Sequence, residues 1–90
     1  MLEHKAESVL FLAKAAVNTK ESASVLEKEW NKELIFFKLF TDHSYFESID
    51  RNIKMLQYLD GETYRDTCNK TVVDLIEFEE YLSFSLPNIF

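Results

Sequence analysis

One glycine, Gly61, and one proline, Pro87, are the only such residues in ninety. Glycine supplies the positive-φ turns, and proline the breaks, that punctuate sheets, long loops and multi-domain chains. A chain this short of both is driven toward a few long helices joined by short turns. At ninety residues it reads as one domain, residues 1–90. A domain of this size buries little more than about 60% of its unfolded surface, so a subunit partner is a common supplement to its stability.

Hydrophobic periodicity places the helices. Leu2, Ala6, Val9, Ala13 and Ala16 recur at helical spacing and predict a first helix over residues 2–17, its Ala-rich stripe allowing close approach by a neighbour. Ser24, with Glu27 three residues on, reads as a capping box and predicts a second helix over 24–40 with Leu26, Trp30, Leu34 and Phe37 inward. In residues 34–40 only Lys38 is polar, so apolar groups surround the axis and must be covered on several sides. A strand would also fit that run, but the helical pattern upstream favours a helix. Ser44 with Glu47 is a second box and opens a third helix over 44–59, lined by Phe46, Ile49, Ile53, Leu56 and Leu59 and stopped at Asp60 and Gly61. A fourth helix runs over 62–84, loosened near residues 69–71, with Tyr64, Cys68, Val72, Leu75, Leu82 and Leu86 on one side and Pro87 ending it. Short turns favour antiparallel neighbours, so the expected fold is all-α: a small antiparallel four-helix bundle.

Ten basic against sixteen acidic side chains leave a net charge of −6, which repels a phosphate backbone and argues against direct nucleic-acid binding. The imbalance is local. Residues 1–45 hold six Lys and seven acids; residues 46–90 hold four basic groups and nine acids, and none of the basic groups lies beyond Lys70. Cys68, the only cysteine, excludes an internal disulfide and suggests a reducing, cytoplasmic setting. The apolar run at residues 9–13 is too short for a membrane span.

Catalytic and metal chemistry find little support. His43, beside Asp42, would need Cys68 brought to it to form a nucleophile system, and no Glu-x-x-His pair suggests a metal site. Neither a cofactor nor a metal is expected. In architecture such a bundle resembles histidine phosphotransfer domains, whose phosphorylated His is followed three positions on by Lys and then Gly. Here His4 is followed by Glu7 and Ser8, and His43 by Phe46 and Glu47.

Surface features carry more information. Asp74, Glu77, Glu80 and Tyr81 are expected to share the outward side of the last helix near its C-terminus, where acidic groups oppose the helix dipole. That arrangement reads either as a solubilising face or as an acidic contact patch with an aromatic anchor, the kind that binds basic protein surfaces and in some proteins mimics nucleic acid. Glu79 falls among Val72, Leu75, Ile76, Leu82 and Leu86 on the helical wheel, so it is expected to pair with Arg51, Lys54 or Arg65, to lie on an exposed helix end, or to meet a basic residue of a partner. Arg51, Met55 and Tyr58 form one row of interface-prone types. Phe11 points away from the Ala stripe. The apolar excess at Leu34, Phe36, Phe37, Leu39 and Phe40 suggests self-association, in the simplest case as a homodimer.

The expected function is therefore a non-enzymatic protein-binding module: a small acidic regulator or inhibitor, of the immunity-protein, antitoxin or phage-antagonist type, that occludes a basic site on its target. A homo-oligomeric structural or assembly subunit is the alternative, and a histidine phosphotransfer domain the third reading.

Overall fold

Four α-helices form in chain order: α1 (Leu2–Ala16), α2 (Lys20–Phe40), α3 (Glu47–Met55) and α4 (Gly61–Ser85), with 3₁₀ turns at His43–Tyr45 and Leu56–Tyr58. The computed structural model describes residues 2–85, and side chains for all of these but residues 2–5, 40, 45, 84 and 85. Leu86 and Pro87, and the side chains of Leu2, His4 and Phe40, therefore lie outside the described residues. No strand occurs among the described residues, and residues 34–40 continue α2 as helix.

The ends of the helices differ from expectation for local reasons. α2 starts at Lys20, not at Ser24, because Thr19 takes extended backbone and its side chain accepts a hydrogen bond from the Ser22 amide at 3.3 Å. The earlier start carries Ala23 into the core at 2% exposure, and Ser24 and Glu27 become helix-surface residues. Ahead of α3 the cap is Asp42, not Ser44. Its carboxylate accepts from the Ser44 amide at 3.0 Å and opens a 3₁₀ turn, and Phe46, preceding α3, makes no side-chain cap bond. The third helix is correspondingly short, and its last turn tightens into the second 3₁₀ segment. Gly61 has φ 62°, the left-handed conformation expected of it, and stands at the first residue of α4.

α4 is continuous through residues 69–71. Thr71 sits there fully buried because its hydroxyl donates to the Thr67 carbonyl at 2.7 Å, leaving only its methyl to the core. The buried stripe of α4 is thus Tyr64, Cys68, Thr71, Leu75, Phe78 and Leu82. Val72, read from the sequence as part of that stripe, is only half-buried beside it.

α1 and α3 each pack against both α2 and α4, which face one another across the core through the edge-to-face pair Phe37 and Phe78, 5.0 Å apart. Along α1 the inner side is Ala6, Val9, Ala13 and Ala16, all within 1% of full burial, and Ala23 of α2 faces the same region. Small side chains let the three long helices close together at that end. At the other end the bundle is filled by Trp30, Phe37, Phe46 and Phe78, with Trp30 and Phe37 at 5.5 Å and Phe46 and Phe78 at 6.4 Å.

Polar ties join the helices at both ends. The Tyr64 hydroxyl donates to the Ala16 carbonyl at 2.7 Å, fixing the start of α4 to the end of α1, and Lys20 reaches Asp60 at 2.8 Å. The fully buried Trp30 donates its indole N–H to Asp50 at 2.8 Å, and the second oxygen of Asp50 accepts from Lys54 at 3.0 Å. The Gln57 amide donates to Glu27, a further link from α2 to the turn after α3.

Because α1 has 15 residues and α2 has 21, the two cannot cover each other completely. Counting back from the turn at equal rise, Leu2 stands level with about residue 34 of α2, so the apolar end of α2 overruns its neighbour. Off the inward stripe of Leu26, Trp30, Leu34 and Phe37, Ile35 and Leu39 are 61% and 70% exposed. Among the described residues no helix is long and apolar enough to cross a membrane.

Candidate functional site

The last helix carries a polar row at helical spacing, Lys70, Asp74, Glu77 and Tyr81, on the side that faces the beginning of α3. Across from it the first 3₁₀ turn and α3 contribute Ser44 and Ser48. Between the two walls lies an open groove of about 360 Å³, floored by Ile49 and Phe78. Its shape follows from the caps: Asp42 holds Ser44 in the turn, while Phe46 and Ile49 anchor the start of α3 in the core.

Two carboxylates one turn apart, Asp74 and Glu77, stand in the groove lining against one cation, Lys70. Asp74 is half-buried; its Oδ2 has no solvent contact and no hydrogen-bond partner among the described residues. A buried carboxylate oxygen without a donor is costly, so this atom is primed to receive one. Glu77 is exposed at the rim. Tyr81 is half-buried and lies over Phe78, the ring planes 15° apart with centroids at 6.5 Å, which holds the phenol as a flat wall of the groove. The site suits a flat or elongated cationic group that donates several hydrogen bonds.

The four residues expected to share one outward face are divided. Asp74, Glu77 and Tyr81 line the groove, whereas Glu80 is exposed and does not line it. Spacing alone could not separate them, since the boundary depends on where α3 packs. Ser44, read from the sequence only as a helix cap, and Ser48 and Lys70 join the site unexpectedly; the interval from Lys70 to Asp74, Glu77 and Tyr81 is the available signal.

Glu79 is half-buried, with Oε2 out of solvent contact, and sits at the edge of the α4 stripe; Phe78 takes the inner position that the helical wheel assigned near it. Of its expected partners, Arg51 lies 3.9 Å from Glu47 and Lys54 lies 3.0 Å from Asp50. Arg51, Met55 and Tyr58 are all exposed, Tyr58 at 84%, with Met55 closing α3 and Tyr58 closing the 3₁₀ turn that follows.

The residues expected to self-associate are also divided. Leu34 and Phe37 are core, at 8% and 0% exposure, while Phe36 and Leu39 are exposed together with Ile35. Leu34 and Phe37 face Trp30 and α4 because they continue the stripe begun by Ala23 and Leu26. Phe11 is 73% exposed, as its position opposite the Ala stripe implies.

Cys68 cannot meet His43. The thiol is buried and directed at the Ala16 carbonyl, 3.7 Å away, at the Ala-rich end, whereas the exposed His43 ring lies 5.1 Å from Phe46 at the aromatic end. Burial pushes the Cys68 thiol up from its ordinary value, the opposite of what a nucleophile needs. Burial, followed by the hydrogen bond with Cys68, also pushes Tyr64 up to about 12. Among the described residues no group of three or more His, Cys, Asp or Glu is placed to hold a metal ion. Comparison with known proteins finds no matching family model, no matching curated protein and no matching solved structure.

Proposed function

We propose that the chain is a non-enzymatic protein-binding module, a small acidic regulator or inhibitor that covers a basic site on another protein and anchors it by one cationic side chain in the α3–α4 groove. The observation that carries this reading is the buried, unpartnered Asp74 Oδ2 at the wall of a groove that also presents Glu77 and Tyr81. An arginine of the target fits best. Its planar guanidinium donates to both carboxylates, stacks on the Tyr81 face and loses less hydration than an ammonium group. The target would be steered by the overall charge of −6, and its basic site would be occluded by the surrounding surface.

The test is an NMR titration with an arginine-rich peptide. Shifts should concentrate at Ser48, Asp74, Glu77 and Tyr81, and the D74N/E77Q variant should bind at least about tenfold more weakly with a flatter salt dependence. Shifts spread evenly over every acidic surface residue, or unchanged affinity in the variant, would sink the proposal.

A further inference from the structure

The outer faces of α2 and α4 match each other in charge and pattern, yet point in opposite directions from one bundle. On α2, Lys28, Lys32, Ile35 and Leu39 stand at i, i+4, i+7 and i+11, a single ridge, and all four are exposed. On α4, Asp66, Val73 and Glu80 are seven residues apart and Ile76 lies beside them; these too are exposed, Val73 at 53% and Ile76 at 39%. The α2 ridge sets two lysines beside its apolar pair, and the α4 ridge sets Asp66 and Glu80 beside its own, with the exposed Lys70 on its groove flank. Lys28 lies two turns before Ile35, and Asp66 and Glu80 lie two turns before and after Val73. An acid therefore meets Lys28 whichever way two such helices run when Ile35 packs on Val73. Since α2 and α4 are diagonal across the core, the two ridges of one copy cannot meet each other.

We infer that the occupant of each ridge is a second copy of this chain: the α2 ridge of one copy packs on the α4 ridge of the next. Charge complementarity within one sequence selects that partner, and the same contact explains why apolar side chains are left uncovered on both ridges. The contact is head-to-tail, so association is open-ended or closes into a ring, in contrast to a two-fold dimer. The ridge is separate from the groove, which lies on the α3 side of α4.

Sedimentation velocity across a concentration series at low salt tests this, with helicity followed by circular dichroism to confirm folding. The wild-type mass should rise with concentration and fall back as salt is added. K28E/K32E and D66K/E80K should each be monomeric alone, since each makes its two ridges alike in charge, and an equimolar mixture should regain association. D74N should associate like wild type, so this inference and the groove reading fail independently. A wild type that stays monomeric, a D66K/E80K variant that still self-associates, or a mixture that stays monomeric would each overturn it.

Discussion

Replacing Asp50 by Ala should expose how far the bundle depends on one polar bridge. Trp30 is fully buried in the centre of α2, and its indole N–H is satisfied at 2.8 Å by Asp50 of α3. Removing the acceptor leaves a buried donor unmet, which costs about 1–3 kcal/mol. The same substitution breaks the solvent-exposed ion pair with Lys54, worth only about 0.3–0.5 kcal/mol and roughly cancelled by the better helix propensity of Ala. The net expectation is about 2 kcal/mol, which in a domain of this size lowers Tm by about 8–16 °C. Asp50→Asn keeps an acceptor in place without the charge and should cost about half as much. Thermal unfolding followed by circular dichroism, with the single tryptophan as a second probe, reads both. In a W30F background D50A should cost no more than about 0.5 kcal/mol, because the donor is gone. Equal Tm values for D50A and D50N, or an undiminished D50A cost with Trp30 absent, would show that the bridge is not what holds α2 to α3.

Tyr64→Phe removes the bond to the Ala16 carbonyl and should cost about 1 kcal/mol, measured by urea unfolding. Tyr64 is pushed up to about 12 from 10.0 and Cys68 is raised from 9.0, so the folded state holds these protons more tightly than the unfolded chain. Their contribution is complete below the unfolded values and is lost as pH rises toward the folded ones. Wild-type stability should fall through that alkaline window, and the Y64F/C68A variant should show a flatter limb there. Gly61→Ala meets no steric obstacle, since nothing lies within 4 Å of an added Cβ, but φ is 62°; the backbone alone should cost about 1–2 kcal/mol. Ala13→Leu overfills the seam where α1 approaches its neighbours and should cost about 1–3 kcal/mol, whereas Leu at exposed Ser24 should change Tm little.

Periodicity, two turn residues and composition determine that this chain is helical, that it has four helices and that Ala6, Val9, Trp30, Ile53 and Leu75 lie inside. These are consequences of local spacing, legible in any sufficiently regular segment. Caps were harder, because Thr19 and Asp42 compete with Ser24 and Ser44 and the choice depends on which start delivers Ala23 and Phe46 to the core. Spacing puts Leu34 and Phe37 on the inward stripe of α2, but that Phe37 is covered by Phe78 of α4, while Ile35 and Leu39 meet no neighbouring helix, is settled by the packing. Likewise Asp74, Glu77, Glu80 and Tyr81 form one acidic stretch in the sequence. The packing of α3 against one flank of α4 makes three of them a groove wall and leaves the fourth on an open ridge. A helix's own spacing says which residues share a direction, but whether that direction meets solvent, a core or a cleft is decided by the neighbouring helices, and those neighbours are in place only in the folded bundle.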